Sequence, residues 1–186
     1  APYPCVVYFP GSNAIHNESS DHLVKPWFEF LMKQGYAVVH PIHKGTYERG
    51  TELDSDYPDE SQLYRDHVIA WGLDQARAID YAETRPELDA TRLAYFGASW
   101  GGAMGPIMLA VEPRFDAAVL YVAGFCFQRA RPEVDALNYV TRATVPTLML
   151  NGKYDHFFPV ESSQRPLFEL LGTPADSKRA FLAEGG

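Results

Sequence analysis

The segment "YFGASWGG", residues 95–102, sets a serine between a short apolar run and a stretch of small residues. The run "RLAYF" at 92–96 predicts a buried strand, and a helix is predicted to begin near Trp100. Gly97, Ser99 and Gly101 fit the pattern G-x-S-x-G, in which small residues allow a sharp turn that exposes the serine hydroxyl. The pattern alone is weak, because it should occur by chance in on the order of one chain in twenty of this length. The predicted strand before the serine and the predicted helix after it therefore favour an exposed nucleophile over a turn with a purely structural role.

Further apolar runs recur along the chain, each separated from the next by a stretch of helical character. With 92–97 they give the strand candidates 5–10, 36–41, 117–122, 145–152 and 179–185. The runs are continuously apolar, which is typical of strands buried on both faces of a parallel sheet. Helices are predicted from the N-cap candidate Ser61 to Pro86, up to Gly35, and through 161–172. The fold class is therefore α/β, a three-layer α/β/α sandwich around a mainly parallel sheet.

Composition and charge exclude several classes of function. The chain has 186 residues and a formal net charge of −8, and its Lys and Arg residues are scattered, so nucleic acid is not an expected partner. The longest apolar run, 117–125, is far shorter than the ~20 residues that span a bilayer, so no membrane insertion is expected from this domain. Cys5 and Cys126 are expected to be buried free thiols, which leaves the compartment open with a slight preference for the cytoplasm. No zinc or redox spacing is present, so we expect no metal and no organic cofactor.

A serine nucleophile needs a base, a carboxylate that orients the base, and backbone donors for the oxyanion. Asp155 follows a buried strand, in the loop region where the active sites of such sheets collect, although it also suits a turn after Gly152. One oxyanion donor is expected from the backbone N–H of Trp100. The other is expected from Ser12, with Asn13 as the alternative, unless "PGSN" at 10–13 is only a turn.

The histidines do not supply an obvious base. They stand at positions 16, 22, 40, 43, 67 and 156. The expected order of the triad along the chain is serine, acid, histidine, and only His156 follows Ser99. His156 adjoins Asp155, and neighbouring side chains of one loop rarely bond each other while one of them reaches a serine. His40 or His43 lies where it can line the pocket, but a structural or surface role is favoured for both.

Nearly the whole chain resembles the α/β-hydrolase superfamily, of the dienelactone-hydrolase and prolyl-oligopeptidase-like type. More narrowly, it is similar to the hydrolase domain at the C-terminus of some bacterial serine/threonine protein kinases. The resemblance is carried by "HPIHKGTYERG" (40–50), "YRDHVIAWGLDQARAIDYAETRPELD" (64–89), "YFGASWGG" (95–102), "AVEPRFDAAVL" (110–120), "PTLMLNGKYDHFFPVESSQRPLFELLGTP" (146–174) and "KRAFLAEGG" (178–186).

The resemblance implies that Ser99 is the nucleophile and Asp155 the triad acid. It also implies that the last strand leads through Gly186 into a catalytic histidine, and that outer strands usually precede the strand at 5–10. Residues 1–186 are accordingly expected to form a single hydrolase domain that is a piece of a longer polypeptide, possessing most of the hydrolase core.

The resemblance further implies an acyl-transfer hydrolase that acts on small-molecule esters. The stretch 124–144 takes the place of a lid and is short, which predicts an open site for modest acyl groups. Phe125 and Phe157, with Phe127 and Phe158, are candidates for an acyl pocket, although such aromatic residues also suit a plain core. A prolyl-oligopeptidase-like peptidase is one alternative, and a non-catalytic regulatory or binding module linked to a kinase domain is another.

Overall fold

A computed structural model of the chain describes residues 1–185. Six parallel strands form one sheet in the order β2-β1-β3-β4-β5-β6. Their bounds are β1 Tyr3–Phe9, β2 Ala37–Val39, β3 Leu88–Ala98, β4 Ala117–Tyr121, β5 Thr147–Gly152 and β6 Lys178–Ala183. Each of the strand candidates is confirmed, and the α/β class with a parallel sheet is confirmed with them.

Five α-helices connect these strands within the described residues. They are α1 Asn13–His16, α2 Glu29–Lys33, α3 Gln62–Glu83, α4 Trp100–Val111 and α5 Arg165–Leu170, the last preceded by a π-helical turn at Val160–Gln164. Helix α3 begins as predicted, because the Ser61 side chain accepts a hydrogen bond from the backbone N–H of Tyr64 at 3.0 Å. After α2, Gly35 has a φ of 88°, a conformation that glycine adopts without steric cost. The stretch 124–144 contains short 3₁₀ turns.

Both faces of the central strands of the sheet are buried, which explains their continuous apolar runs, whereas the edge strand β6 is largely exposed. Along β1, Cys5, Val7 and Phe9 join a large cluster that also holds the buried residues of α3 and α4. The alternate residues Val6 and Tyr8 join a smaller cluster with Phe28 next to α2. Since successive side chains of a strand point to opposite faces, the two clusters are the two cores of a three-layer sandwich.

The two cysteines do not pair with each other, as the sequence predicts, although only one of them is fully buried. Cys5 is buried, Cys126 is half-buried, and both are free thiols. In residues 1–185, no helix combines the length and apolar character that crossing a membrane requires. The predicted lead into a catalytic histidine, at Gly186 and beyond, lies outside the described residues.

Candidate active site

Ser99 occupies a strained turn between the end of β3 and the start of α4. Its φ of 53° and ψ of −108° are rarely adopted by a residue with a side chain. Two backbone hydrogen bonds hold the turn: Ser99 N–H donates to the carbonyl of Tyr121 at 2.8 Å, and Ala103 N–H donates to the carbonyl of Ser99 at 2.9 Å. The half-exposed hydroxyl is thereby fixed at the carboxyl end of the sheet.

The glycines of the motif permit a close approach between this turn and its neighbours. A Cβ atom on Gly97 would lie 2.3 Å from the carbonyl oxygen of Gly101, and one on Gly101 would lie 2.3 Å from that of Phe9. The backbone N–H of Gly101 donates to the carbonyl of Pro10 at 3.0 Å. The start of α4 and the end of β1 therefore pack backbone against backbone, with no room for a methyl group.

The predicted oxyanion donors lie on both sides of this contact. Trp100 is the first residue of α4, so its backbone N–H has no acceptor within the helix. Ser12 precedes α1 in the loop after β1, and a Cβ atom on Gly11 would stand 3.4 Å from the Cβ of Ser99. Asn13 borders the same space as Ser12 and Ser99, so it remains the alternative donor.

Asp155 lies in the turn that follows β5 and is 8% exposed. Its Oδ1 atom accepts hydrogen bonds from the backbone N–H groups of Phe157 at 2.8 Å and Phe158 at 3.0 Å. These bonds fix the orientation of the carboxylate, and within residues 1–185 no Lys or Arg pairs with it. The backbone N–H of Tyr154 donates to the carbonyl of Gly185 at 2.8 Å, which holds the chain after β6 beside this turn.

Of the six histidines, three are largely buried, two are exposed outside the cleft, and one faces the cleft. Burial lowers the pKa of His40 to about 4 and that of His43 to about 3, so both are neutral imidazoles. His43 stacks on Phe9 with ring centroids 4.2 Å apart, and neither histidine borders the space in front of Ser99. His156 does border it, with its exposed ring 4.4 Å from that of Phe157. The hydrogen bonds of Asp155 in the described chain go to backbone groups and not to His156.

An open cleft of about 540 Å³ lies in front of Ser99. Besides Ser99, Trp100 and the loop at 11–13, it is lined by Val24, Trp27, Asp56, Tyr57, Ala103, Cys126, Phe127, Gln128, His156, Phe157 and Phe158. Phe157 thus stands in the predicted region, whereas Phe125 borders a separate cavity of about 40 Å³. Five residues line both the smaller cavity and the cleft: Asp56, Trp100, Ala103, Cys126 and Gln128.

Sequence reasoning missed Asp56 and Trp27 as cleft residues. Asp56 belongs to the polar stretch 45–60, whose length and composition indicate only a surface loop. Trp27 lies in a short 3₁₀ turn, and no periodic pattern marks it as facing a site. In residues 1–185 no group of three or more His, Cys, Asp or Glu side chains is arranged to hold a metal ion.

Solved structures share this fold across nearly the whole chain at low sequence identity. An acetyl xylan esterase from Paenibacillus sp. R4 is 19% identical, with a TM-score of 0.66 over 98% of this chain and 68% of its own. A cold-adapted esterase from an Arctic intertidal metagenomic library is 20% identical, with a TM-score of 0.69 over 98% of this chain and 74% of its own. The acylaminoacyl peptidase of Pyrococcus horikoshii is 16% identical, with a TM-score of 0.69 over 100% of this chain and 33% of its own.

These likenesses establish a common α/β-hydrolase architecture. Sequence comparison goes further, because the dienelactone hydrolase family matches residues 1–171, which include the serine turn and the Asp155 turn. The chain belongs to the dienelactone hydrolase family.

Proposed function

We propose that the protein is a carboxylic ester hydrolase in which Ser99 is the nucleophile, Asp155 the triad acid, and a histidine after β6 the general base. The observation that carries the proposal is the geometry of Ser99. A strained turn holds its hydroxyl at the floor of an open cleft, beside backbone N–H groups at the starts of two helices. Strain at a single residue costs about 1–3 kcal/mol and persists where the surroundings enforce it, commonly at active sites.

The mechanism is acyl transfer through a covalent intermediate. Ser99 Oγ attacks the ester carbonyl carbon while the base takes the hydroxyl proton, and the C=O electrons move onto oxygen. The backbone N–H groups of Trp100 and Ser12 stabilise that oxyanion. Its collapse expels the alcohol, which the base protonates, and a water molecule activated by the same base then releases the acid from Ser99. No step in this sequence calls for a metal or an organic cofactor.

The surroundings of Asp155 support its assignment as the acid. Two backbone N–H groups bond one carboxylate oxygen, Oδ1, while Oδ2 has no hydrogen-bond partner within residues 1–185 and is available to an imidazole N–H. The carbonyl of Gly185 is bonded to Tyr154 N–H next to Asp155, so a histidine on the following loop would have a short path to the carboxylate. Such a pair would hold the imidazole in the tautomer that accepts the serine proton.

The shape of the site supports short acyl groups and varied alcohols. The cavity of about 40 Å³ beside Trp100 is suited to a short acyl chain, and Phe125 lies on its wall. The cleft of about 540 Å³ is open to solvent and can admit larger alcohols. Phe157 at its rim provides apolar surface for these groups.

The test is p-nitrophenyl acetate hydrolysis by two forms of the protein, one ending at Gly186 and one carrying the natural residues that follow. We expect activity in the longer form, loss of that activity with Ser99→Ala, and its retention with His156→Ala. Equal activity in both forms, or its loss with His156→Ala, would place the base within residues 1–186. Two folded but inactive forms would argue against an esterase.

The two alternatives predict different results with other measurements. A peptidase, as suggested by the shared fold of the acylaminoacyl peptidase, would cleave peptidyl p-nitroanilides at rates comparable to esters. A regulatory module linked to a kinase would bind its partner unchanged after Ser99→Ala and would turn over neither substrate. We favour the ester because alcohols leave more readily than amines, and so require less exact protonation by the base.

A further inference from the structure

Asp56 is an acidic residue of the cleft that the proposed mechanism leaves unused. It is half-buried in the loop before α3 and borders both the cleft that contains Ser99 and the smaller cavity beside it. Its Oδ2 atom accepts a hydrogen bond from Ser12 Oγ at 2.8 Å. Its Oδ1 atom has no protein partner among residues 1–185. One face of the carboxylate is therefore anchored while the other is available to a ligand.

Asp56 forms no ion pair with a Lys or Arg side chain within residues 1–185. Among the described residues that line the cleft, Asp56 is the only carboxylate and His156 the only imidazole, and none is Lys or Arg. Arg129 follows the lining residue Gln128, and its guanidinium is paired with Asp135 at 2.8 Å. Lys25 follows the lining residue Val24, is exposed, and forms no ion pair within residues 1–185. Burial, together with the negative charge of Asp56, raises the pKa of the Cys126 thiol to about 12.

We propose that Asp56 makes the cleft prefer esters that carry a positive charge near the scissile bond and disfavour esters that carry a negative one. The inference rests on the proposed ester hydrolysis at Ser99. Because Ser12 is bonded to Asp56 and also lines the oxyanion side of the cleft, negative potential from Asp56 falls where the transition state gains negative charge. A cationic substituent on the substrate offsets that potential, whereas an anionic substituent adds to it.

Two pairs of matched substrates test the preference, one with the charge on the alcohol side of the scissile bond and one with the charge on the acyl side. The protein used is the natural chain that contains these residues. The first pair is acetylcholine and its uncharged isostere, in which carbon replaces the quaternary nitrogen. The second is a p-nitrophenyl ester whose acyl chain ends in a trimethylammonium group, with its tert-butyl isostere. The readout is the ratio of kcat/KM for the cationic ester to that for the neutral ester, within one variant.

In at least one pair we expect the ratio to exceed one and to fall about tenfold in Asp56→Asn, as a charge at a few ångströms in a partly solvated cleft implies. Asp54→Asn is the matched control, because it removes the same charge from an exposed position of the same loop and should leave the ratio unchanged. In the unmodified protein, raising the salt concentration should lower the ratio, which tests the charge without any substitution.

A ratio that Asp56→Asn leaves unchanged in both pairs, or that salt does not alter, would overturn the inference while leaving the esterase in place. Equal falls in Asp56→Asn and Asp54→Asn would also overturn it, since net charge and not position would then be responsible. If the neutral esters show no hydrolysis that depends on Ser99, the proposed function fails, and this inference fails with it.

Discussion

Replacing Ser99 by glycine should stabilise the fold while abolishing activity. The backbone at Ser99, with φ 53° and ψ −108°, is unfavourable for any residue with a Cβ atom and is open to glycine. Hydrogen bonds to Tyr121 and from Ala103 hold this conformation, and they involve only backbone atoms. Glycine would therefore keep the turn and lose only the strain and the hydroxyl.

The size of the effect follows from two opposing quantities. A residue held in a sparsely populated φ/ψ region costs of order 1–3 kcal/mol. Glycine also lowers the free energy of unfolding by roughly 0.5–1 kcal/mol, because it gives the unfolded chain more conformational freedom. The net gain in the free energy of unfolding is then about 1 kcal/mol, or about 2–4 °C in Tm for a domain of this size.

Ser99→Ala is the matched control, because it removes the same hydroxyl and keeps the Cβ atom. We expect Ser99→Ala to unfold close to the unmodified protein in urea and Ser99→Gly to unfold at a higher concentration with the same m-value. Both variants should lack esterase activity. A Ser99→Gly variant no more stable than Ser99→Ala would show that the turn stores no strain, and the argument from backbone geometry to function would fail.

Three further predictions concern other parts of the molecule. Asp155→Asn should lower kcat on p-nitrophenyl acetate by about 10³–10⁴-fold in the form that contains the base. The Tm should change little, since the amide oxygen can still accept hydrogen bonds from both backbone N–H groups. A small fall in kcat would show that Asp155 is not the triad acid. Gly101→Ala should lower the free energy of unfolding, measured in urea, by at least about 1–3 kcal/mol, because the new Cβ atom would lie 2.3 Å from a β1 carbonyl oxygen. Gly50→Ala, whose Cβ atom would have its nearest contact at 3.6 Å, should be nearly neutral. Similar losses at both positions would contradict the packing argument. The pKa of His43 is lowered to about 3 in the folded protein, against 6.5 in the unfolded chain, so the free energy of unfolding is fully retained above pH 6.5 and falls as the pH approaches 3, by up to about 1.4 kcal/mol per pH unit. His43→Phe should reduce this slope in unfolding measured from pH 7 to 4, whereas His16→Phe at an exposed site should not.

The elements of the fold were largely predictable from local patterns. Continuous apolar runs identified every strand, and Ser61 identified the start of the longest helix. The observed strand bounds differ from the predicted ones where strand pairing extends beyond the apolar run. Strand β3 starts at Leu88, before the apolar run, because Leu88 and Asp89 pair with the start of β1 across a register shift between Pro4 and Cys5. Backbone hydrogen bonding can thus extend a strand through polar residues that a hydrophobic pattern does not recognise.

The candidate site was predictable only in part. Ser99 and its backbone neighbour Trp100 lie in one motif, so their proximity is a local property. The two aromatic candidates were expected together, yet Phe125 and Phe157 border different cavities, because their loops leave different strands. Asp56 belongs to no motif, and in the fold it lies in the cleft beside Ser12, its hydrogen-bond donor 44 residues earlier in the chain.

By itself, the sequence determined the α/β class, the strand-to-helix turn at Ser99, and the position of Asp155 just after a buried strand. These are consequences of hydrophobic periodicity and of residue size over a few neighbouring positions. Only the tertiary structure decided which loops meet in front of Ser99. The strand order sets β1 beside β3 and leaves β5 two strands from β3, so the loops that follow these strands converge on one edge of the sheet. That convergence is produced by the long-range pairing of strands, which no local stretch of sequence encodes.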